Sequence, residues 1–114
     1  MKGKKYDIGK VRWDLLHWDT IEGEAKVLTY GAVKYDPDNW KLVLRGPGGR
    51  RRYFSAMMRH LYASMRKGVI DPTILDPESG LPHVYHARCC LMFLCFNDSA
   101  DKKEIASACR SSKV

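Results

Sequence analysis

The chain of 114 residues has no stretch that is long and apolar enough to cross a bilayer. Its first ten residues, MKGKKYDIGK, lack the hydrophobic core of a secretion signal. Internal repeats and long low-complexity linkers are missing as well. We therefore expect a single cytoplasmic domain over residues 1–114, with an irregular basic segment at residues 1–13 and a frayed C-terminal tail.

Several familiar motifs are also missing. The four cysteines, Cys89, Cys90, Cys95 and Cys109, include no CxxC spacing, and three of them lie in or just before the apolar run LMFLCF. We interpret the cysteines as small buried hydrophobic residues in a reducing compartment. The chain contains no Walker loop, no GxSxG motif and no zinc-finger spacing. Any catalytic or binding site must therefore be built from other residues.

Acidic residues are in the minority, with 13 Asp and Glu against 20 Lys and Arg, which gives a net charge of +7. A basic domain suggests an anionic partner, either free nucleotide or nucleic acid. Four arginines, Arg45, Arg50, Arg51 and Arg52, stand around the glycines of RGPGGRRR, as either a solvated loop or a phosphate-binding patch. Because no nucleic-acid-binding motif is recognisable, we favour free nucleotide.

No segment alternates with period two, so the fold is predicted to be all-α, a small bundle of three to four helices. The first helix carries apolar residues at gaps of three and four, namely Trp18, Ile21, Ala25, Leu28, Ala32 and Tyr35. Asp19 is its predicted N-cap, with Glu22 completing a capping box. The segment DPDNW is expected to end this helix.

The other helices and loops are predicted from residues that typically begin or end a helix. Residues 41–50 are predicted to be a loop, residues 52–67 the second helix with Gly68 as its C-terminal stop, and residues 69–78 another loop. Ser79 is the predicted N-cap of a third helix, and a weaker fourth helix is expected after Ser99. Apolar faces this wide on a short chain favour a homo-oligomer, a dimer or a tetramer.

The stretch DPESGLPHVYHA concentrates ionisable groups at the start of the third helix. His83 and His86 share a helix face at a spacing of three, behind Asp76 and Glu78. Each residue has a structural alternative, as a cap, a loop residue or a core histidine. The combination is more informative, because His60 with Arg59 on the second helix, and Glu22 with Lys26 on the first, also bring ionisable groups close to a core face.

Acidic and basic groups together suit phosphate chemistry. Carboxylates hold Mg²⁺ or Mn²⁺, which bridges phosphate oxygens, while basic side chains neutralise the remaining charge. The HxxH spacing alone is weak evidence for zinc.

The ordered motifs GKVRWDLLHWDTIE, AKVLTYGAVKY, DNW, RYFSAMMRHLYA and DPESGLPHVYHA resemble the phage-encoded dATP/dGTP diphosphohydrolases. These proteins are related to MazG and include MazZ-like enzymes. The resemblance covers roughly Tyr6 to Phe96. It implies an all-α fold, and it implies that the protein is located in the host cytoplasm. It also implies conversion of a purine deoxynucleoside triphosphate to monophosphate and pyrophosphate, in which water activated by a divalent metal attacks the α-phosphorus.

Under this hypothesis the predicted roles fall into three sets. The candidate catalytic residues are Glu22, Glu78 and His60, and the candidate ligands of Mg²⁺ or Mn²⁺ are Glu22, Asp76 and Glu78. The candidate substrate-binding residues are Lys26, Lys34, Tyr35, Asn39, Trp40, Arg52, Arg59, His83 and His86, with Tyr35 or Trp40 stacking on the base.

The sequence departs from the wider MazG superfamily at both of its metal motifs. Glu22 is followed by Gly23, Glu24 and Ala25, so there is no ExxE, and the third helix carries HxxH in place of ExxD. These departures leave a second hypothesis open, that of a non-catalytic protein that binds or sequesters nucleotides or nucleotide signals against a host defence.

Overall fold

The computed structural model describes residues 3–96, and these residues form a helical fold with one minor sheet. A short 3₁₀ turn, Trp13–Leu15, precedes α1 (Trp18–Lys34), α2 (Asn39–Arg45) and α3 (Gly49–Ala63). The strands β1 (Met65–Arg66) and β2 (Val69–Ile70) then lead to α4 (His83–Cys95). The prediction of an all-α fold is confirmed. No helix among residues 3–96 is both long enough and apolar enough to cross a membrane.

The helix α4 is the centre of the packing. Its main partner is α3, and α1 and α2 also contact it. The buried apolar residues are Val27, Leu44, Ala87, Cys89 and Cys90. Most of them are small, so the helices approach one another closely. At Gly23 of α1, an added Cβ would lie 2.5 Å from the ring of Tyr85 on α4. The missing side chain therefore makes room for this ring between the two helices.

The start of α1 differs from the prediction. His17, not Asp19, is the N-cap residue, and it makes no side-chain capping bond. The hydroxyl of Thr20 donates a hydrogen bond to the His17 carbonyl at 2.8 Å, while the Glu22 carboxylate pairs with Lys26 at 3.5 Å. The predicted capping box is therefore wrong, because both of its members lie inside the helix and Glu22 has a partner one turn ahead.

The predicted loop at residues 41–50 is wrong, since α2 occupies most of it and α3 begins at Gly49 rather than at Arg52. The segment DPDNW ends α1 as expected, but Asn39 immediately begins the next helix. Leu44 of α2 is completely buried. The free energy of burying this leucine favours the helix. The sequence pattern did not indicate it, because the neighbouring glycines and proline are typical of a loop. Arg50, Arg51 and Arg52 are consequently helical residues and not loop residues.

The helix α3, which was predicted to extend to residue 67, ends earlier, at Ala63. The following residues form a hairpin in which Met65 pairs with Ile70 and Arg66 with Val69. Both turn residues, Lys67 (φ 52°) and Gly68 (φ 80°), have positive φ, as the tightest hairpin turns require. Gly68 is therefore a turn residue and not a helix stop. Two-residue strands are too short to show an alternating pattern.

The start of α4 also differs, because Pro82 is its N-cap residue and Ser79 lies outside the helix. The Ser79 hydroxyl instead accepts the Leu81 N–H at 3.2 Å and bonds to the ring of His86. The predicted helix after Ser99, the C-terminal tail and Cys109 lie outside the described residues.

The predicted apolar stripes are only partly buried in one copy of the chain. The helix α1 buries Gly23 and Val27, which lie beside the predicted stripe. Large apolar side chains that remain exposed on the helices include Trp18, Val33, Tyr35, Leu42, Phe54, Met58, Tyr62 and Leu91. The packing of these four helices therefore leaves much apolar surface in contact with solvent.

The cysteines of α4 give a direct test of its orientation. Burial raises the pKa of Cys89 to about 12 and that of Cys90 to about 11, whereas Cys95 is exposed. At pH 8 the two buried thiols should be thiolate in about one molecule in a thousand or fewer. We expect iodoacetamide to label Cys95 in the native protein and to leave Cys89 and Cys90 unmodified, as measured by peptide mass spectrometry. Equal labelling of all three would contradict this packing, and denatured protein is the positive control.

Candidate functional site

Five polar residues form what we call the histidine–carboxylate cluster, namely His60, Asp76, Ser79, His83 and His86. His60 comes from the last turn of α3, and the other two histidines come from the first turns of α4. Asp76 and Ser79 belong to the loop that leads into α4. The spacing of three does place His83 and His86 on one side of the helix, and both face His60.

The contacts within the histidine–carboxylate cluster are short. The Nδ1 atoms of His60 and His83 lie 2.9 Å apart, and the His83 Nδ1 lies 3.8 Å from the Asp76 Oδ2. The rings of His60 and His86 are stacked at 4.7 Å, and the His86 Nε2 is 2.7 Å from the Ser79 hydroxyl. The three imidazoles therefore form one connected group.

The loop DPESGLPH holds Asp76 in place through its backbone. The N–H groups of Glu78 and Ser79 both donate to the Asp76 Oδ1, at 2.8 and 2.9 Å. Burial alone would raise the pKa of Asp76, but these N–H bonds and the neighbouring imidazoles lower the pKa below its usual value. Asp76 is therefore a fixed, ionised carboxylate with one oxygen, Oδ2, directed towards His83.

Two of the three histidines in the cluster have a pKa below the usual value. Burial, followed by the nearby imidazoles of His86 and His83, lowers the pKa of His60 to about 4. Burial also lowers the pKa of His86. A neutral imidazole has a lone pair that can accept a proton or bind a metal ion. The histidine–carboxylate cluster can therefore hold a proton or a cation between its members.

The predicted acidic metal ligands are not brought together. Among residues 3–96, the one group of three or more potential ligand atoms within 4.8 Å of one another is His60, Asp76 and His83. Glu22 is exposed on α1 and pairs with Lys26, in a shallow groove beside Tyr85. Of the three predicted acidic ligands, the structure places only Asp76 in this group.

Glu78 instead forms an ion pair with Lys34 at the end of α1. The hydrogen bond from Lys34, followed by one from Tyr30, lowers the pKa of the Glu78 carboxyl, and the same bond to Glu78 raises the pKa of Lys34. The pair connects α1 to the loop before α4. Two residues predicted for separate roles, one acidic and one basic, thus neutralise each other here.

An apolar cavity of about 180 Å³, which we call the aromatic cavity, lies beside the histidine–carboxylate cluster. Its lining includes Tyr30, Gly31, Tyr35, Asn39, Trp40, Tyr53, His86 and Phe93. Three predicted substrate-binding residues, Tyr35, Asn39 and Trp40, are therefore in its wall. One face of Trp40 is stacked on Phe93 at 4.6 Å, so this ring is itself part of the packing.

The predicted basic residues on α3 line a separate surface depression. Arg52 and Arg59 face it together with Tyr35 and Asn39, which also line the aromatic cavity. Arg59 donates to the Ser55 hydroxyl at 2.9 Å. Arg50 has a structural partner, since it donates a hydrogen bond to the Leu94 carbonyl. Two arginines thus lie next to the mouth of the aromatic cavity.

The sequence did not identify every residue of this region. Tyr30, Tyr53 and Phe93 line the aromatic cavity, but in the sequence they are indistinguishable from core residues of amphipathic helices. Ser79 was assigned to a cap, whereas its hydroxyl orients His86. The position of Ser79 seven residues ahead of His86 gave no local signal for this contact.

One family model matches the chain. Its description is dATP/dGTP diphosphohydrolase, N-terminal, and it matches residues 1–107. No curated protein and no solved structure matches the chain.

Proposed function

The chain belongs to the family of dATP/dGTP diphosphohydrolase N-terminal domains, and from this premise we propose that it hydrolyses purine deoxynucleoside triphosphates. The substrates would be dATP and dGTP, and the products the monophosphate and pyrophosphate. The observation that carries the proposal is the position of His86. This residue belongs both to the aromatic cavity and to the histidine–carboxylate cluster.

The shared residue suggests how a nucleotide would lie. A purine base is flat and apolar and fits a cavity lined by Tyr30, Tyr53 and Phe93. The phosphates would then extend towards the cluster and the arginines of α3. Asn39 in the cavity wall offers an amide donor and acceptor for the base edge. Arg52 and Arg59 would neutralise phosphate charge.

In the proposed reaction one water molecule attacks the α-phosphorus, and the bond to the oxygen that bridges the α- and β-phosphates breaks. Pyrophosphate leaves, and a proton from the water must be accepted. His86 is suited to this because it is neutral and is oriented by Ser79. His60, Asp76 and His83 would hold a divalent ion, which would act as a Lewis acid and make the attacking water more acidic.

The alternative is a protein that binds purine nucleotides without hydrolysing them. The observation in its favour is that the predicted acidic residues are dispersed, with Glu22 and Glu78 each paired to a lysine. A protein of this kind would have the same aromatic cavity but too few carboxylates for hydrolysis.

Incubation of the purified chain with dATP, dGTP, dCTP, dTTP and the ribonucleotides, with Mg²⁺ or Mn²⁺, separates the two functions. Chromatography that shows deoxynucleoside monophosphate and pyrophosphate from the purine substrates supports the diphosphohydrolase. Retention of unchanged purine nucleotide supports the binding protein. Neither product nor retained nucleotide would contradict both.

We also propose that the chain assembles into a homo-oligomer, a dimer or a tetramer. The support is the set of exposed apolar side chains on α1, α3 and α4, among them Trp18, Phe54 and Leu91. Isolated apolar side chains on a surface are normal, but several on neighbouring helices favour association. Light scattering on a sizing column should give at least twice the chain mass of 13.1 kDa at micromolar concentration. A monomer under these conditions would contradict the assembly.

A further inference from the structure

We propose that His60, Asp76 and His83 form a binding site for one divalent transition-metal ion, and that this site prefers Mn²⁺, Co²⁺ or Zn²⁺ over Mg²⁺. The inference concerns the region of the proposed function, since an ion at this position would face the bound phosphates. It stands on its own contacts, however, and metal binding can be measured without any nucleotide.

The first support is the convergence of the three donor atoms. The two Nδ1 atoms are 2.9 Å apart, the Asp76 Oδ2 is 3.8 Å from the His83 Nδ1, and all three lie within 4.8 Å of one another. Ligands bound to one ion at about 2.0–2.2 Å are separated by about 3–3.6 Å. The observed spacing therefore needs only small side-chain adjustments to enclose an ion.

The second support is the pair of imidazole nitrogens that face each other. The Nδ1 atoms of His60 and His83 are 2.9 Å apart, a distance at which one proton or one cation lies between them. The carboxylate on the same side adds a negative charge that favours a cation. Such an arrangement is typical of a site with two histidines and one carboxylate.

The third support is that the backbone fixes the ligands before any ion binds. The Asp76 N–H donates to the Leu81 carbonyl at 2.8 Å, and the His83 N–H donates to the Ile74 carbonyl at 3.0 Å. These bonds close the loop between Asp76 and His83 at its base. His60 is held from the other side by the stacked ring of His86. Little conformational entropy would therefore be lost on metal binding.

The donor types decide between metals. Mg²⁺ prefers oxygen ligands and retains several waters. Imidazole nitrogen binds Co²⁺ and Zn²⁺ well and binds Mn²⁺ more weakly than these two ions. With two nitrogens and one oxygen, the site should bind Mg²⁺ weakly. The predicted site of three carboxylates, Glu22, Asp76 and Glu78, would discriminate less between Mg²⁺ and Mn²⁺, because all its donor atoms are oxygens.

The test is calorimetric titration of the full chain, freed of metal by a chelator, with MnCl₂, CoCl₂, ZnCl₂ and MgCl₂ in the absence of nucleotide. We expect one transition-metal ion per chain, and at least about tenfold weaker binding of Mg²⁺. The visible spectrum of bound Co²⁺ reports nitrogen ligands directly. His83→Ala should weaken Co²⁺ binding by about 100-fold or more, since loss of a group that only hydrogen-bonds to a metal ligand already costs about 10- to 100-fold.

The chain offers a matched control, because His17, the one histidine outside the histidine–carboxylate cluster, is exposed at the start of α1. His17→Ala should leave Co²⁺ affinity and spectrum unchanged. Asp76→Asn keeps the size and the hydrogen-bond acceptor, so it tests the ligand if His83→Ala unfolds. Circular dichroism checks both variants.

Three outcomes would overturn the proposal. They are no ion bound up to about 1 mM, tighter binding of Mg²⁺ than of Mn²⁺ and Co²⁺, or equal Co²⁺ affinity in wild type and Asp76→Asn. Failure of the proposed function gives a different result, namely tight metal binding without hydrolysis of any nucleotide. Hydrolysis with Mg²⁺ by a chain that binds no Co²⁺ would contradict the proposed metal site and leave the proposed hydrolysis supported.

Discussion

Asp76→Asn is expected to lower kcat for dATP and dGTP hydrolysis by about 1000-fold, which corresponds to about 4 kcal/mol of activation free energy. Asparagine keeps an oxygen that can accept the N–H bonds of Glu78 and Ser79, so the loop should retain its conformation. It removes the negative charge next to His83, on which the proposed cation binding and the proposed transition-state stabilisation depend. Pyrophosphate release at saturating substrate measures kcat, and thermal denaturation by circular dichroism should show little change.

Asp71 provides the matched control. It occupies a similar turn in the same loop region, where its carboxylate accepts the N–H and hydroxyl of Thr73 at 2.8 and 2.6 Å. It lies outside the histidine–carboxylate cluster and pairs with Arg66 at 3.2 Å. Asp71→Asn should therefore retain wild-type kcat. An equal loss of activity in both variants, or wild-type activity in Asp76→Asn, would contradict the role assigned to Asp76.

Gly49→Ala is expected to lower the free energy of unfolding by about 3 kcal/mol or more. Gly49 is buried at the start of α3, directly against α2. An added Cβ would lie 2.1 Å from the Val43 carbonyl oxygen and 2.4 Å from that of Leu44. Both are backbone atoms, so no side-chain rotation can relieve the overlap, and the two helices would have to separate around the buried Leu44.

Gly31→Ala is the control, because Gly31 lies within α1 and an added Cβ there would meet nothing within 4 Å. In that position alanine should stabilise the protein, by up to about 1 kcal/mol, through its higher helix propensity. Urea denaturation with a common m-value measures both changes. If Gly49→Ala were as stable as the wild type, the close contact between α2 and α3 would be wrong.

The sequence predicted the elements that rest on local periodicity. The residues of α1, α3 and α4 were located with errors of a few positions at their ends, because an amphipathic pattern defines a helix better than it defines its caps. The helix α2 was missed because it has only seven residues and is followed directly by GPGG, which is typical of a loop. Only the burial of Leu44, a tertiary contact, favours the helix there.

The same division applies to the candidate site. The spacing of His83 and His86 is local, and it correctly placed both on one side of a helix. Their contact with His60 is tertiary and comes from the packing of α3 on α4. Pairing between distant residues could not be inferred in this way. Lys34 and Glu78 are 44 positions apart, and their contact depends on how α1 packs against the loop before α4. The roles proposed for Glu22 and Glu78 remain predictions. The pair of Glu22 with Lys26 could be inferred from its spacing of four residues, whereas the pair of Glu78 with Lys34 could not.

The attachment of α1 has a consequence for how tightly any ligand binds. This helix buries only Gly23 and Val27, and an exposed ion pair, Lys34 with Glu78, connects its far end to the loop. It also supplies one wall of the aromatic cavity, through Tyr30 and Gly31. The helix α1 contacts mainly α4, and less extensively than α3 does, so it separates from the fold at a lower free energy than α3. If the proposed nucleotide binds in this cavity, only molecules with α1 docked are competent to bind it, so the apparent affinity is the intrinsic affinity scaled by the docked fraction. Substitutions on α1 that touch no ligand can therefore tune binding, and a ligand that fills the cavity will in turn stabilise the helix.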